Sequence, residues 1–295
     1  MGTQPQFDID DSGHHYHYFD EFPGSFALIA PSESVENAIV FVHGFGGDAC
    51  GTWTNFHLMI DELQWNSSFS TTDLFFFQYH SVWERIQSST DRLLKFLQVV
   101  VFEPDTRHFT VLLDPILVDG DLESSGPTTN VLSALPADRH YRQIHLIGHS
   151  EGGVVIRNAV VKKASRNSPL LRCHLSLFAP AIAGYAPAGL LGTLANFPGV
   201  GGIIDALLKA APAYQDLKDT PFLNKLRRRT EQEARDESKH AFRAHILWGR
   251  NDRVVKPDKY EDDDEDFEER NHIQICKPTP QYSTPVGWVS WRMGL

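Results

Sequence analysis

Apolar residues along this chain gather into short unbroken runs separated by longer amphipathic stretches. Phe26-Ala27-Leu28-Ile29-Ala30, Ala38-Ile39-Val40-Phe41-Val42 and Leu74-Phe75-Phe76-Phe77-Gln78-Tyr79 are three of these runs. Each has the length of a strand and lacks the polar alternation of a sheet that faces water. Gln143 to Ile147, Cys173 to Phe178 and Ala241 to Trp248 repeat the pattern further on, while Trp53 to Leu63, Asp91 to Val101 and Glu151 to Lys163 carry helical spacing. Strands that alternate with helices predict an α/β domain with a mostly parallel central sheet and helices on both faces.

Three stretches depart from this rhythm. About sixty residues separate the run ending at Phe178 from the one starting at Ala241, far more than a simple connection needs, so a helical lid is expected over roughly residues 183 to 240. Its apolar part, Ala186 to Ala213, is interrupted by glycines and prolines and contains Asp205 and Lys209, which suits a lid better than a membrane span. Residues 103 to 126, rich in Pro, Gly and acidic side chains, read as a surface insertion with a hairpin at most. Residues 1 to 22 read as a flexible N-terminal arm, and the remainder, 23 to 295, as one domain. His14, His15 and His17 in that arm lack the companion ligands of a metal site. The acidic run Glu261 to Asp266 reads as a solvated loop and Arg227-Arg228-Arg229 as a solvated helix face.

Composition narrows the function classes. With 41% hydrophobic and 22% charged residues the chain has material for one large core. A formal net charge of −11 argues against a nucleic-acid partner, because affinity for phosphate backbones comes from clustered cations. Its three cysteines, Cys50, Cys173 and Cys276, are scattered and form no disulfide framework. The first residues lack the basic start and apolar run of a signal peptide, so the expected location is the cytoplasm.

The segment that carries chemistry is Gly148-His149-Ser150-Glu151-Gly152-Gly153, where a buried strand ends and a helix begins. A serine in a Gly-x-Ser-x-Gly frame at that junction sits on a sharp turn, and the small neighbours let strand and helix approach closely. Ser150 is therefore the candidate nucleophile. His43-Gly44-Phe45-Gly46-Gly47-Asp48 follows an earlier buried strand and reads as an oxyanion loop. Acyl transfer builds negative charge on a carbonyl oxygen, and each preformed N–H donor stabilises it by ~3 kcal/mol. The expected donors are the N–H groups of Phe45 and Glu151, with Gly46 as a neighbouring candidate.

A serine hydroxyl needs a base to take its proton and a third group to orient that base. In this arrangement the acid and then the histidine follow the serine along the chain. Asp252 lies just past the predicted strand Ala241 to Trp248, and of the fourteen histidines His272 alone comes after it. The expected trio is Ser150, Asp252 and His272. His149 is expected to pack beneath the turn and His43 to brace its loop by a hydrogen bond. Asp258 and Asp266 are read as surface carboxylates.

On these motifs and the ending His272-Ile273-Gln274-Ile275-Cys276-Lys277-Pro278, the chain resembles α/β-hydrolase serine esterases and lipases, and in particular the SERAC-like and PGAP-like lipases. The resemblance spans Ala38 to Pro278. It implies hydrolysis of carboxylic or lipid-like esters through an acyl-enzyme, with no cofactor and no metal. The apolar lid adds the expectation of transient contact with a lipid surface. Thioester hydrolysis or acyl transfer would use the same residues, and a binding protein that kept the fold without activity is the non-enzymatic rival.

Overall fold

The computed structural model describes residues 15–30, 32, 34–56, 69–102, 109–111, 139–164, 168–185 and 210–293. In chain order the elements are β1 (His15–Phe19), β2 (Phe26–Ile29), β3 (Asn37–Val42), β4 (Thr72–Phe77), α1 (Ile86–Phe96), β5 (Phe109–Val111), β6 (Gln143–His149), α2 (Glu151–Lys163), β7 (His174–Phe178), α3 (Pro212–Lys218), α4 (Thr220–Ala234), β8 (Ala244–Gly249), β9 (Asp264–Glu268) and α5 (Thr284–Met293). Nine strands form one sheet in the order β5-β1-β2-β4-β3-β6-β7-β8-β9. The pairings among β1, β2, β5 and between β2 and β4 are antiparallel. From β4 through β9 every pairing is parallel.

The unbroken apolar runs become strands buried on both faces, because successive side chains point to opposite sides of the sheet. On one face Phe26, Phe76 and Phe41 form a stacked row with ring centroids 4.6 and 4.7 Å apart. That row continues onto Trp53 and Phe56, and Phe178 meets Trp53 and Trp288 of α5 on the same side. On the other face Phe75 and Phe77 pack on Phe96 of α1. Here α1 lies beside α2, which in turn meets α4. One layer of the sheet's aromatics therefore belongs to each helical cover.

Several predicted boundaries shift. Residues 15 to 19, inside the stretch read as an arm, form β1 and pair with β2 and β5. Pairing between distant strands, rather than local periodicity, defines that element. Of the insertion at 103–126, Phe109–Val111 is β5, and the rest lies outside the described residues. Residues 53–56 of the predicted helix Trp53 to Leu63 are turns, and 57–63 lie outside the described residues. The helix expected over Asp91 to Val101 begins earlier, at Ile86, and its last turns from Leu97 to Phe102 widen to a π-helix. Within the lid range, α3 and α4 are helices, while 186–209 lie outside the described residues.

The acidic run is not a plain solvated loop. Its last three residues, Asp264 to Asp266, open β9, a charged edge strand whose backbone completes the parallel ladder of β8. Charged side chains on an edge discourage pairing with other chains, which reconciles the sequence with the strand. Asp263, just before it, is fully buried and accepts both Arg157 Nη2 contacts at 2.6 Å and the N–H groups of Ala244 and Tyr260. Arg157 lies on α2, the helix that starts at Ser150, and also donates to Phe242 O at 2.9 Å. This buried pair ties that helix to the strand edge. Arg227, read as part of a solvated face, lies over the Tyr260 ring and pairs with Asp258 at 2.7 Å. Asp266 accepts from Trp288 Nε1 at 3.1 Å.

Among the described residues no helix is long and apolar enough to cross a membrane. The carboxyl ends of β3, β4, β6, β7, β8 and β9 all open on one rim of the sheet, because the strands are parallel. In such sheets ligands bind beyond that rim.

Candidate active site

Ser150 stands at the end of β6 with φ 53° and ψ −119°, a left-handed backbone that a non-glycine residue adopts only when its surroundings impose it. The surroundings do so from β7. Ser150 N–H donates to Phe178 O at 3.0 Å, and Ala181 N–H donates back to Ser150 O at 3.0 Å. The turn also demands its glycines. A Cβ on Gly148 would lie 2.8 Å from Gly153 N, and one on Gly152 would fall on the carbonyl oxygens of Val42 and His43. The Gly-x-Ser-x-Gly spacing thus records two close backbone approaches, one within the turn and one to β3.

The loop after β8 places Asp252. Its N–H donates to Gly249 O at 3.0 Å, and its Oδ1 accepts from the N–H groups of Val254 and Val255 at 2.7 and 3.1 Å. Oδ2 is left for His272 Nδ1, 2.7 Å away. The carboxylate side chain is fully buried and the imidazole nearly so. His272 sits in the loop after β9, which Asn271 closes by accepting from Ile273 and Gln274 N–H at 3.1 and 2.9 Å. Nε2 of His272 lies 2.9 Å from Ser150 Oγ. Hydroxyl, imidazole and carboxylate therefore form one continuous hydrogen-bonded line, from three loops at one rim.

Neighbours fix that line. His149 packs beneath the turn and its Nε2–H donates to His272 O at 2.8 Å, while burial holds its pKa well below the ordinary histidine range. It stays neutral, and Nε2–H locks the carbonyl of the residue that faces Ser150. Cys276 Sγ lies 3.6 Å from Thr52 O, and Asn55 Nδ2 donates to Pro278 O at 3.0 Å. The ending from His272 to Pro278 is thus clamped against the segment that follows the glycine loop.

The glycine loop itself is braced by His43. Tyr79 N–H donates to His43 Nε2 at 3.3 Å, so the proton sits on Nδ1 and goes to Gly44 O at 2.9 Å. Burial lowers the pKa of His43 to about 4, which keeps this tautomer neutral. Tyr79 O–H donates to His43 O at 2.8 Å. Gly44 abuts Ser150: a Cβ there would come within 2.8 Å of Ser150 Cβ. Gly46 N–H, the neighbouring donor candidate, donates to Ser81 Oγ at 3.0 Å. The N–H groups of Phe45 and Glu151 find no acceptor among the described residues. Tyr79 and Ser81 have no local motif. Their one signal in the sequence is position just after an apolar run.

Above Ser150 opens a cavity of about 490 Å³, within the range of small-molecule sites. Apolar side chains from four loops, Phe45, Val82, Val254 and Ile273, line it together with Tyr185 and the glycines beside Phe45. No group of three or more metal-ligating side chains is found among the described residues.

No protein-family model matches the chain, and no curated protein matches its sequence. Solved structures do resemble it. A lipase from Bacillus licheniformis in mature form is 14% identical, with 90% of this chain and 96% of that one covered and a TM-score of 0.50. A peroxisomal α/β-hydrolase from Saccharomyces cerevisiae is 10% identical, with 91% and 81% covered and a TM-score of 0.51. Strand order, the turn at Ser150 and these likenesses agree: the chain has the α/β-hydrolase fold.

Proposed function

We propose that this protein is a serine hydrolase of carboxylic esters, with Ser150 as nucleophile, His272 as base and Asp252 as the group that orients it. The observation that carries the reading is the unbroken line from Ser150 Oγ through His272 to Asp252, at 2.9 and 2.7 Å, on the floor of an apolar cavity. His272 Nδ1–H donates to Asp252, which leaves Nε2 bare to take the serine proton. As the proton passes to Nε2, Oγ bonds to the carbonyl carbon and the carbonyl oxygen becomes an oxyanion held by Phe45 and Glu151 N–H. Collapse expels the alcohol, which leaves with the proton from His272. Water then gives a proton to the same nitrogen, attacks the acyl-enzyme and releases the acid.

The structural likeness to a lipase supports an ester substrate at the level of fold, and the ending His272 to Pro278 favours the SERAC-like and PGAP-like lipases within it. The lining by Phe45, Val82, Val254 and Ile273 favours an apolar acyl group, and with it a lipid-like ester that the lid can reach on a lipid surface. The chemistry needs neither cofactor nor metal. A series of p-nitrophenyl esters of rising acyl length tests this directly, with the matching acyl thioesters as a second arm. We expect kcat/KM to rise from acetate to the medium chains and oxygen esters to be preferred. Equal rates at every length would remove the apolar acyl pocket, and preference for thioesters would replace the ester assignment.

A further inference from the structure

Two polar groups beside Ser150 have no part in the steps above, and both are buried without a hydrogen-bond partner among the described residues. Tyr185 lies in the loop after β7, and its backbone bridges to Val255 in the loop that holds Asp252. Its ring stands edge-on to Phe45 and stacked on Tyr214, each at a centroid distance of 6.1 Å. The hydroxyl is buried in the wall of the cavity and faces that of Ser150, yet makes no hydrogen bond of proper geometry with it or with any other group among the described residues. The second group is the Glu151 carboxyl, fully buried, with neither oxygen hydrogen-bonded. Tyr79, Tyr185 and Asp216 of α3 are the titratable groups around it, and Tyr79 gives its proton to His43 O instead.

A buried donor left unpaired weakens the fold, so native chains keep few of them, and those near a nucleophile point to an acceptor that arrives with the ligand. The Tyr185 phenol borders both the residue whose N–H is the first oxyanion donor, Phe45, and the residue whose N–H is the second, Glu151. We infer that Tyr185 is a third donor to the oxyanion: its O–H, idle in the resting enzyme, bonds the former carbonyl oxygen as charge develops there. The inference rests on the ester-hydrolase reading above. It requires the phenol to keep its proton, and the surroundings ensure this. Burial, the largest cause, raises the Tyr185 pKa well above the ordinary tyrosine range. Burial also raises the Glu151 carboxyl well above the carboxylate range, which favours its uncharged form beside the oxyanion. No proton leaves Tyr185 during turnover; it donates a hydrogen bond and keeps its O–H bond.

The test is Tyr185→Phe in the full chain, which removes one unpartnered hydroxyl and keeps the ring between Phe45 and Tyr214. With p-nitrophenyl butyrate, kcat is expected to fall by about 10²-fold while KM stays within about twofold, the pattern of a donor that acts in the transition state. The inhibition constant of an alkyl trifluoromethyl ketone, which forms a tetrahedral oxyanion on the serine, should rise by a similar factor. The thermal midpoint should hold or rise, whereas a merely structural tyrosine would lower it. Unchanged kcat and ketone affinity, or a loss carried by KM alone, would overturn the inference. Failure of the underlying reading looks different, because the unaltered protein would then hydrolyse no ester and bind no ketone at Ser150, and both proposals would fall.

Discussion

Ser150→Ala is expected to lower ester turnover by about 10⁶-fold, the scale on which removal of an activated serine acts in enzymes of this mechanism. The alanine removes the atom that bonds to the acyl carbon, and water cannot take its place because Oγ sits 2.9 Å from the base on a turn shaped to present that atom. The oxyanion donors survive the change, so a residual acceleration of about 10³ to 10⁴ over the uncatalysed reaction should remain. Folding should survive as well, since among the described residues Oγ bonds to His272 alone and the turn is held by backbone bonds to Phe178 and Ala181. Initial rates with a p-nitrophenyl ester, beside a thermal midpoint within a few degrees of the unaltered protein, check both halves. Turnover that persists within tenfold would remove Ser150 from the reaction.

Asp252→Asn is expected to cost about 10⁴-fold in kcat with little change in KM. The two carboxylate oxygens have separate duties. Oδ1 accepts the N–H groups of Val254 and Val255, whereas Oδ2 accepts the proton on His272 Nδ1. Asparagine can keep the first set by turning its oxygen to the loop, and it then offers an NH₂ group to Nδ1. The imidazole answers by carrying its proton on Nε2, where it can no longer receive one from Ser150. Loss follows from the wrong tautomer rather than from a displaced ring. Rates of Asp252→Asn measured with the ester series, and a midpoint close to that of the unaltered protein, separate this from unfolding. A rate within tenfold would mean that another group orients the histidine.

Much of this site was legible before any coordinates. The run Gln143 to Ile147, the glycines around Ser150 and the spacing from Glu151 to Lys163 place strand, turn and helix, and α2 spans those same helical residues. Chain order singles out Asp252 and His272, and the structure brings both beside Ser150 because strands that run parallel bring every following loop to the same rim. Edge elements were harder. β1 carries three aromatic or aromatic-like positions beside histidines, and β9 is almost wholly acidic, so neither has the apolar run of a strand. Each exists because a neighbouring strand offers an open ladder, a long-range cause that local pattern does not register. Tyr185 falls within the range read as a lid, and nothing in its neighbourhood marks it as a partner of Ser150. The buried Glu151 side chain was equally silent, since its backbone N–H accounts for the residue's place in the motif. Asp263 was hidden among like charges; only the burial of Arg157 on α2 reveals which carboxylate of that run faces inward.

The most direct test of the central claim is covalent. Exposure of the full chain to a fluorophosphonate, followed by peptide mass mapping, should find one phosphonyl group per molecule, on the peptide that contains Ser150, with ester turnover lost in proportion. His272→Ala should abolish the labelling while leaving the serine in place. A protein that turns over esters yet carries the adduct on another residue, or carries none after long exposure, would contradict the account.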